Sequence, residues 1–237
     1  MADAVPDKTP DRIAGMFDAI APRYDLLNHL LSAGIDRRWR KRAIASLGLT
    51  GQETLIDVCT GTADMALEAR QAARVLGVDF AGAMLRLGLD KVRAAHQDRR
   101  IVLVRGDATS IPAPSACADA ATVAFGIRNV QRPEVACREM ARVLRPGGRL
   151  AILEFGVPRI PGISALYLWY FKRVLPLVGS LVSGHGGAYT YLPASVGTFT
   201  PPAEFVTLLQ QSGFADIQAV SLTFGIVYLY TATRSEG

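Results

Sequence analysis

Apolar residues change their spacing twice along this chain. Over the first fifty positions they recur at helical intervals, in RIAGMFDAIAPRYD, LLNHLLSAG and IDRRWRKRAIASLGL. Gly34 and Gly48 stand where such helices would stop. From residue 54 short runs of Val, Ile and Leu take over: TLIDVC (54–59), ARVLGVD (73–79), RIVLVRGD (100–107), ADAATVAFG (118–126) and GRLAILEFG (148–156). Helical patterns fall between them around 63–73, 81–95 and 133–144. In the last of these Pro133 suits a first helical position, and Ala136, Met140, Val143 and Leu144 make one apolar face. Strands alternating with helices in this way predict βαβ units and a parallel sheet covered on both faces.

The second change follows Phe155. IPGISALYLWYFKRVLPLVGSLVSG (160–184) is long and apolar, but Lys172, Arg173 and Pro176 interrupt it, so an interfacial or lid helix fits better than a membrane span. PAEFVTLLQQSGF (202–214) reads as a helix closed by Gly213. DIQAVSLTF and IVYLYTATR read as two terminal strands joined near Gly225. The expected fold is α/β: a doubly wound, Rossmann-like, seven-stranded sheet of five parallel strands plus a C-terminal antiparallel hairpin. Residues 1–50 would form a helical cap on the substrate side, and 51–237 the sheet domain with an apolar lid insertion at 157–200. Ligands of such sheets bind beyond the carboxyl ends of the strands.

Composition narrows the class. Half of the 237 residues are apolar and a fifth charged, which excludes a disordered chain and permits a large core. MADAVPDKTPDR carries no apolar segment of the secretory kind. Cys59, Cys117 and Cys137 form no CxxC pair, which favours a reducing cytoplasm. His29, His96 and His185 do not stand at metal-ligand spacing, so no zinc site is expected. The net charge of +5 is densest in RRWRKR (37–42). That run is either a solvated helix face or a basic surface on which Trp39 rests against anionic lipid. No aromatic stacking pattern accompanies it, so nucleic acid is not an expected partner.

Candidate chemistry gathers at the strand ends. DVCTGTAD (57–64) follows the first strand as a small-residue turn, with Asp57 and Gly61 counted as cofactor-binding. It lacks the glycines of GxGxxG, since Thr60, Thr62 and Ala63 take their places. Asp79 ends the second strand, 18 residues beyond Gly61, near the separation at which an acid reaches ribose hydroxyls. Asp107 ends the third. Plainer readings stay open: a tight turn needing one glycine at Gly61, and a turn aspartate at Asp107. Together these positions favour an adenosine-bearing ligand. The missing glycines argue against pyrophosphate, and S-adenosylmethionine, an adenosine without phosphates, fits. In VAFGIRNV (123–130) an apolar run ends in Arg128 and Asn129, which belong either to a wet loop or to the same rim.

DVCTGTAD, GVDFAGAML, GDATSIP, FGIRNV and RVLRPGGRLAILEF, in this order, resemble class I S-adenosylmethionine-dependent methyltransferases. YDLLNHLLSAGIDRRW (24–39) and RVLRPGGRLAILEF resemble the two signatures of the ubiquinone/menaquinone biosynthesis C-methyltransferase family, and the likeness runs from about residue 12 to the end. It implies cofactor contacts at Thr62, Asp79, Asp107 and the Ala108 backbone, and places Tyr24, Asp25, Asn28 and Trp39 on the entrance and substrate side. Ala124 stands at the cofactor edge where some relatives carry serine. Asp36 replaces a histidine of the first signature, and Leu27 a methionine. DVCTGTAD and DFAGAML look closer to the menaquinone branch.

The resemblance implies C-methylation of a prenylated quinol, demethylmenaquinol to menaquinol. A neutral phenol, with pKa near 10, is a weak carbon nucleophile, and a fixed cation in a dry pocket would favour its phenolate. Arg128 is the candidate for that cation and Asn129 for its hydrogen-bonding neighbour, against the plainer reading of an arginine paired to a nearby acid. Asp25 and His29 are candidate bases, with Tyr189, Tyr191 and His185 behind them; Glu154 could orient a substrate group. Leu166, Tyr167, Trp169, Tyr170 and Phe171 could cover an isoprenoid tail, or serve ordinary core or homodimer packing. A cytoplasmic protein in peripheral contact with membrane lipid follows from these features. A methyltransferase of another small hydrophobic acceptor, and a non-catalytic lipid-binding module on the same fold, remain the rivals.

Overall fold

The computed structural model describes residues 7–32, 34–158 and 194–236, with Ile160, Gly162, Ser164, Ala165, Trp169, Arg173 and Tyr191 between them. In the first helix the side chains of residues 23 and 26–31 fall outside the description. So do most of the expected 157–200 lid, including Tyr189, His185 and the apolar cover apart from Trp169.

The first two helical stretches are one helix, α1 (Pro10–Leu31), running through Pro22. An interior proline removes one N–H and crowds the preceding turn, yet this helix continues through it. Among the described residues the first left-handed one is Gly34, and α2 (Asp36–Ser46) begins just beyond it. The alternating region then follows: β1 (Thr54–Val58), α3 (Asp64–Glu68), β2 (Arg74–Asp79), α4 (Gly82–Ala94), β3 (Ile101–Arg105), β4 (Ala118–Ala124), α5 (Pro133–Val143) and β5 (Leu144–Phe155). α3 is shorter than the 63–73 pattern because the Ala73 N–H already pairs with the Glu53 carbonyl at 2.9 Å, drawing the chain onto the flank of β1. After the insertion come α6 (Pro202–Gln211), β6 (Phe214–Leu222) and β7 (Val227–Arg234).

The strands lie in the order β3-β2-β1-β4-β5-β7-β6. β1 to β5 are mutually parallel, and the terminal hairpin inserts β7 antiparallel between β5 and β6. The order reverses between β1 and β4, and that reversal opens a crevice at their carboxyl ends. One face of the sheet is covered by α5 and α6 through Ala136, Met140, Phe205 and Leu209, the other through Trp39, Ala43, Leu47, Ala66 and Val92.

Two local features shape the crevice. α2 runs antiparallel to β5: Gly48, beyond its C-terminus, accepts from Arg149 at 3.0 Å, while Trp39 near its start meets Phe155 at the far end of β5. Trp39 is buried, its Nε1 donating to Thr223 Oγ1 at 2.9 Å and its ring 6.1 Å from that of Phe125. The expectation that Trp39 rests on lipid is therefore corrected; an indole with its N–H satisfied inside the fold anchors the helix instead. At the other feature the exits of β1 and β4 nearly touch. A side chain begun at Gly126 would place its Cβ 2.4 Å from Cys59 Cβ.

Gly126→Ala must push these two exits apart. It is expected to lower stability by about 1–3 kcal/mol, the usual cost of overpacking, and urea denaturation monitored by circular dichroism measures it. A midpoint equal to that of the parent would show that the exits tolerate separation.

Candidate active site

Beyond the carboxyl ends of β1, β2 and β4 lies a cavity with walls from several elements. α1 contributes Phe17 and Tyr24, the β1 exit Cys59 and Gly61, the β2 exit Asp79 and Phe80, and α4 Met84. The β4 exit closes it with Ala124, Phe125, Gly126, Asn129 and Val130. Asp79 is set rigidly: Oδ2 accepts from the Gly61 N–H at 2.8 Å and Oδ1 from Ala81 N–H at 2.9 Å. Each carboxylate oxygen keeps lone-pair capacity after one such bond, so two acceptors remain for a vicinal diol. Burial raises the Asp79 pKa, and the backbone N–H groups oppose that rise. Gly61 sits at φ 56° and presents backbone to the cavity with no side chain in the way. This donor and acceptor set suits an adenosine. Of the sequence-predicted cofactor residues, Gly61, Asp79 and Ala124 line the cavity.

The others are placed differently. Asp57 lies beneath the loop, buried, accepting from Thr60 Oγ1 at 2.6 Å and from Thr122 Oγ1 at 2.8 Å. Desolvation pushes its pKa up to about 6 against the pull of both hydroxyls. Its work is to join the β1 exit to β4. Thr62 turns its hydroxyl away from the cavity, onto Asp25 Oδ1 at 2.5 Å. Asp107 is exposed and folds back on its own turn, accepting from the N–H and Oγ1 of Thr109 at 2.7 and 2.8 Å. Ala108 is buried behind it in the core. Neither lines the cavity.

The acceptor side begins where β4 ends. Arg128 and Asn129 form a short 3-10 turn (Ile127–Asn129), and both are buried. The Arg128 guanidinium does not stand as a free cation. Its Nη1 donates to Glu154 Oε1 at 2.7 Å and to the Phe125 carbonyl, while its backbone N–H donates to Glu154 Oε2 at 3.1 Å. It also lies 5.3 Å from the Phe155 ring centroid. Glu154 is fully buried and further accepts from the Phe155 N–H. Asn129, by contrast, reaches the cavity, and its Oδ1 accepts from Tyr191 OH at 3.2 Å. A phenol is protonated at neutral pH and so donates here, and burial raises the Tyr191 pKa further.

Asp25 is likewise committed, taking Lys91 Nζ at 2.7 Å besides Thr62, which leaves it poorly placed as a base. His29 lies on α1, with its side chain outside the described residues. Several site residues gave no sequence signal. Phe17 and Met84 read as ordinary core positions on helices. Lys8 belongs to a polar N-terminus, yet it is close enough to Arg128 and Glu154 to respond to both, its pKa lowered first by burial and then by Arg128.

Comparison with known proteins agrees with this geometry. A model of the ubiE/COQ5 methyltransferase family matches residues 6–234. The chain is 48% identical over 223 residues to a ubiquinone/menaquinone biosynthesis C-methyltransferase of Syntrophotalea carbinolica, covering 93% of each chain. It is 43% identical over 222 residues to a demethylmenaquinone methyltransferase of Thermus thermophilus, covering 92% of this chain and all of the other. Among solved structures it resembles the [4+2]-cyclase SpnF (TM-score 0.70, 19% identity, 97% of each chain) in fold. It also shares the fold of an S-adenosylmethionine-dependent methyltransferase of Methanococcus maripaludis (TM-score 0.66, 20% identity, 93% and 95% of the chains).

The buried Asp57 makes stability depend on pH. Its folded pKa of about 6 exceeds the unfolded value of 3.8, so the native state binds this proton more tightly. The resulting stabilisation is full below the unfolded value and is lost as pH rises through about 6. Asp57→Asn does not titrate. The stability of the parent relative to Asp57→Asn should therefore fall by roughly 3 kcal/mol between acid and neutral pH, at about 1.4 kcal/mol per pKa unit. Urea unfolding across that range reads the difference; a constant difference would refute the assignment.

Proposed function

Because the chain belongs to the ubiE/COQ5 methyltransferase family, we propose that it moves the methyl group of S-adenosylmethionine to a ring carbon of a prenylated quinol, converting demethylmenaquinol to menaquinol. The observation that carries this reading is a single cavity with Asp79 and Gly61 on one wall and Asn129 on another. A diol-binding end and a neutral hydrogen-bonding end thus share one space. The cofactor, when bound, supplies a methyl group activated on a positive sulfonium.

Asp79 and the Gly61 backbone would hold the ribose and orient the cofactor. Phe17, Tyr24 and Phe125 would exclude water, which strengthens every polar contact within. Asn129, fixed by Tyr191, would bind a quinol hydroxyl and aim the ring carbon, contributing mainly by orientation. Arg128 and Glu154 neutralise each other, so their role toward the quinol is to place Asn129 and Phe125 and to offer a dipole rather than a net charge.

A lipid-borne substrate also calls for contact with a membrane surface, and we place it at the turn between β6 and β7. Among the described residues no helix is long and apolar enough to cross a membrane. Phe224 is 64% exposed at φ 60°, a costly arrangement for an aromatic residue on a solvated turn. The turn stands at the carboxyl edge of the sheet, since Ile226 O accepts from the N–H of Gly156, just past β5, at 2.9 Å. Trp39 ties it to the start of α2, where Arg37 and Arg38 are exposed. An apolar tip beside cationic side chains suits anionic lipid.

Incubation with labelled S-adenosylmethionine and demethylmenaquinol should give a product heavier by one methylene, and no transfer to any demethylated quinol would end the proposal. Asp79→Ala should abolish cofactor binding in calorimetry. Asn129→Ala should leave that binding intact and lower kcat by about 10²-fold, the scale of one lost orienting contact. In flotation with anionic vesicles the parent should rise with the lipid and Phe224→Asp should stay behind; equal recovery of the two would dismiss the docking turn.

A further inference from the structure

One ammonium group holds α1 against the loop that follows β1. Lys91 Nζ, on α4, donates to Asp25 Oδ2 on α1 at 2.7 Å and to Thr62 Oγ1 at 3.2 Å, and it is ion-paired with Asp64 at the start of α3. An ammonium carries three N–H donors, and each of these finds an acceptor from a different group. Thr62 closes the ring by donating to Asp25 Oδ1. A second pin lies nearer the start of α1, where Asp18 Oδ1 accepts from the Ala83 N–H at 2.8 Å. Phe17 and Tyr24, the α1 residues on the cavity wall, fall at these two pins.

The backbone is shaped to let Lys91 reach. A Cβ at Gly88 would lie 2.9 Å from Leu103 and 3.3 Å from the Thr62 carbonyl carbon, so α4 packs directly onto the loop only because this position has no side chain. Removing the ammonium would leave Asp25 and Asp64 facing one another as like charges. Arg40 lies 3.7 Å from Asp64 but is itself paired with Asp36. Among the described residues Lys91 is the only cation paired with Asp25.

We propose that Lys91 is a positioning residue: it latches α1 over the cavity and thereby sets how tightly, and for how long, S-adenosylmethionine is held. Opening of the latch is then the step through which the cofactor exchanges. This rests on the reading of the cavity as the cofactor site. The Lys91 side chain is 30% exposed, so water and salt reach the latch and can loosen it.

The test compares Lys91→Met, Lys91→Arg and the double variant Asp25→Asn/Lys91→Met. In Lys91→Met, hydrogen exchange of the α1 amides should accelerate while those of β1 and β4 keep their protection. Its Kd for S-adenosylmethionine, measured by calorimetry, should rise about tenfold, a scale set by losing a partly exposed charge network. KM for the cofactor should follow Kd while kcat at saturation stays within about twofold. Lys91→Arg should restore most of the affinity, and the double variant should regain part of it once the repulsion is gone. Parent-like α1 exchange in Lys91→Met would overturn the latch. So would accelerated exchange throughout the sheet, or an arginine variant as weak as the methionine one. A parent chain that fails to bind S-adenosylmethionine would instead remove the reading of the site, and the exchange data would still judge the latch alone.

Discussion

A single buried carboxylate ties together the two strand exits that frame the crevice. Asp57 sits at the point where strand order reverses, and it is bonded on one side to Thr60 of its own exit loop and on the other to Thr122 of β4. Both donors are hydroxyls, so the acid is solvated internally but not neutralised by contact with a cation. Burying a charge without close pairing is costly. The return is geometric: the loop carrying Gly61 is held at a fixed height over β4, and the Gly61 N–H can then meet Asp79. The tight approach of Gly126 to Cys59 is the apolar counterpart of the same junction.

From that junction the two ends of the cavity diverge in their electrostatics. The Asp79 end is acidic and faces inward. The Asn129 end holds a buried ion pair whose charges cancel, together with a tyrosine whose pKa burial raises further. A sulfonium cofactor placed between them would have its positive charge balanced from the acidic side. The acceptor would meet dipoles only, which suits a quinol whose tail is apolar. A bare arginine there would bind any anion, whereas a neutralised one leaves selection to shape and to Asn129.

The sheet was legible because its central strands β1, β4 and β5 are largely buried and read as apolar runs. The terminal hairpin was legible from its two apolar runs meeting near Gly225, but not the insertion of β7 between β5 and β6, which depends on partners distant in the chain. The place of Asp79 on the cavity wall was legible because strand end and spacing from Gly61 are local properties. The pairing of Thr62 with Asp25 was not legible: each stands in a motif, but their side chains answer to Lys91 and to each other across 37 residues of sequence. Asp107 took its turn role because Thr109 offers two donors at once. Trp39 looked exposed amid five basic neighbours, yet only one helical face of that run is wet, and the indole and Arg40 occupy the other.

Arg40 shows why the charged run had to be read in three dimensions. Its guanidinium is buried, paired with Asp36, and lies 5.6 Å from the Phe125 ring, whose other neighbours are Trp39 and Phe155. The basic helix therefore sends one cation inward to support an aromatic wall of the cavity, while Arg37 and Arg38 remain outside near the exposed Phe224 turn. Trp39 joins these two surfaces through one hydrogen bond and its ring contacts. The turn is thus connected to Phe125 through the Thr223 hydroxyl and the Trp39 ring. Because packed aromatic groups have few alternative arrangements, the turn and this wall of the cavity are set by the same packing.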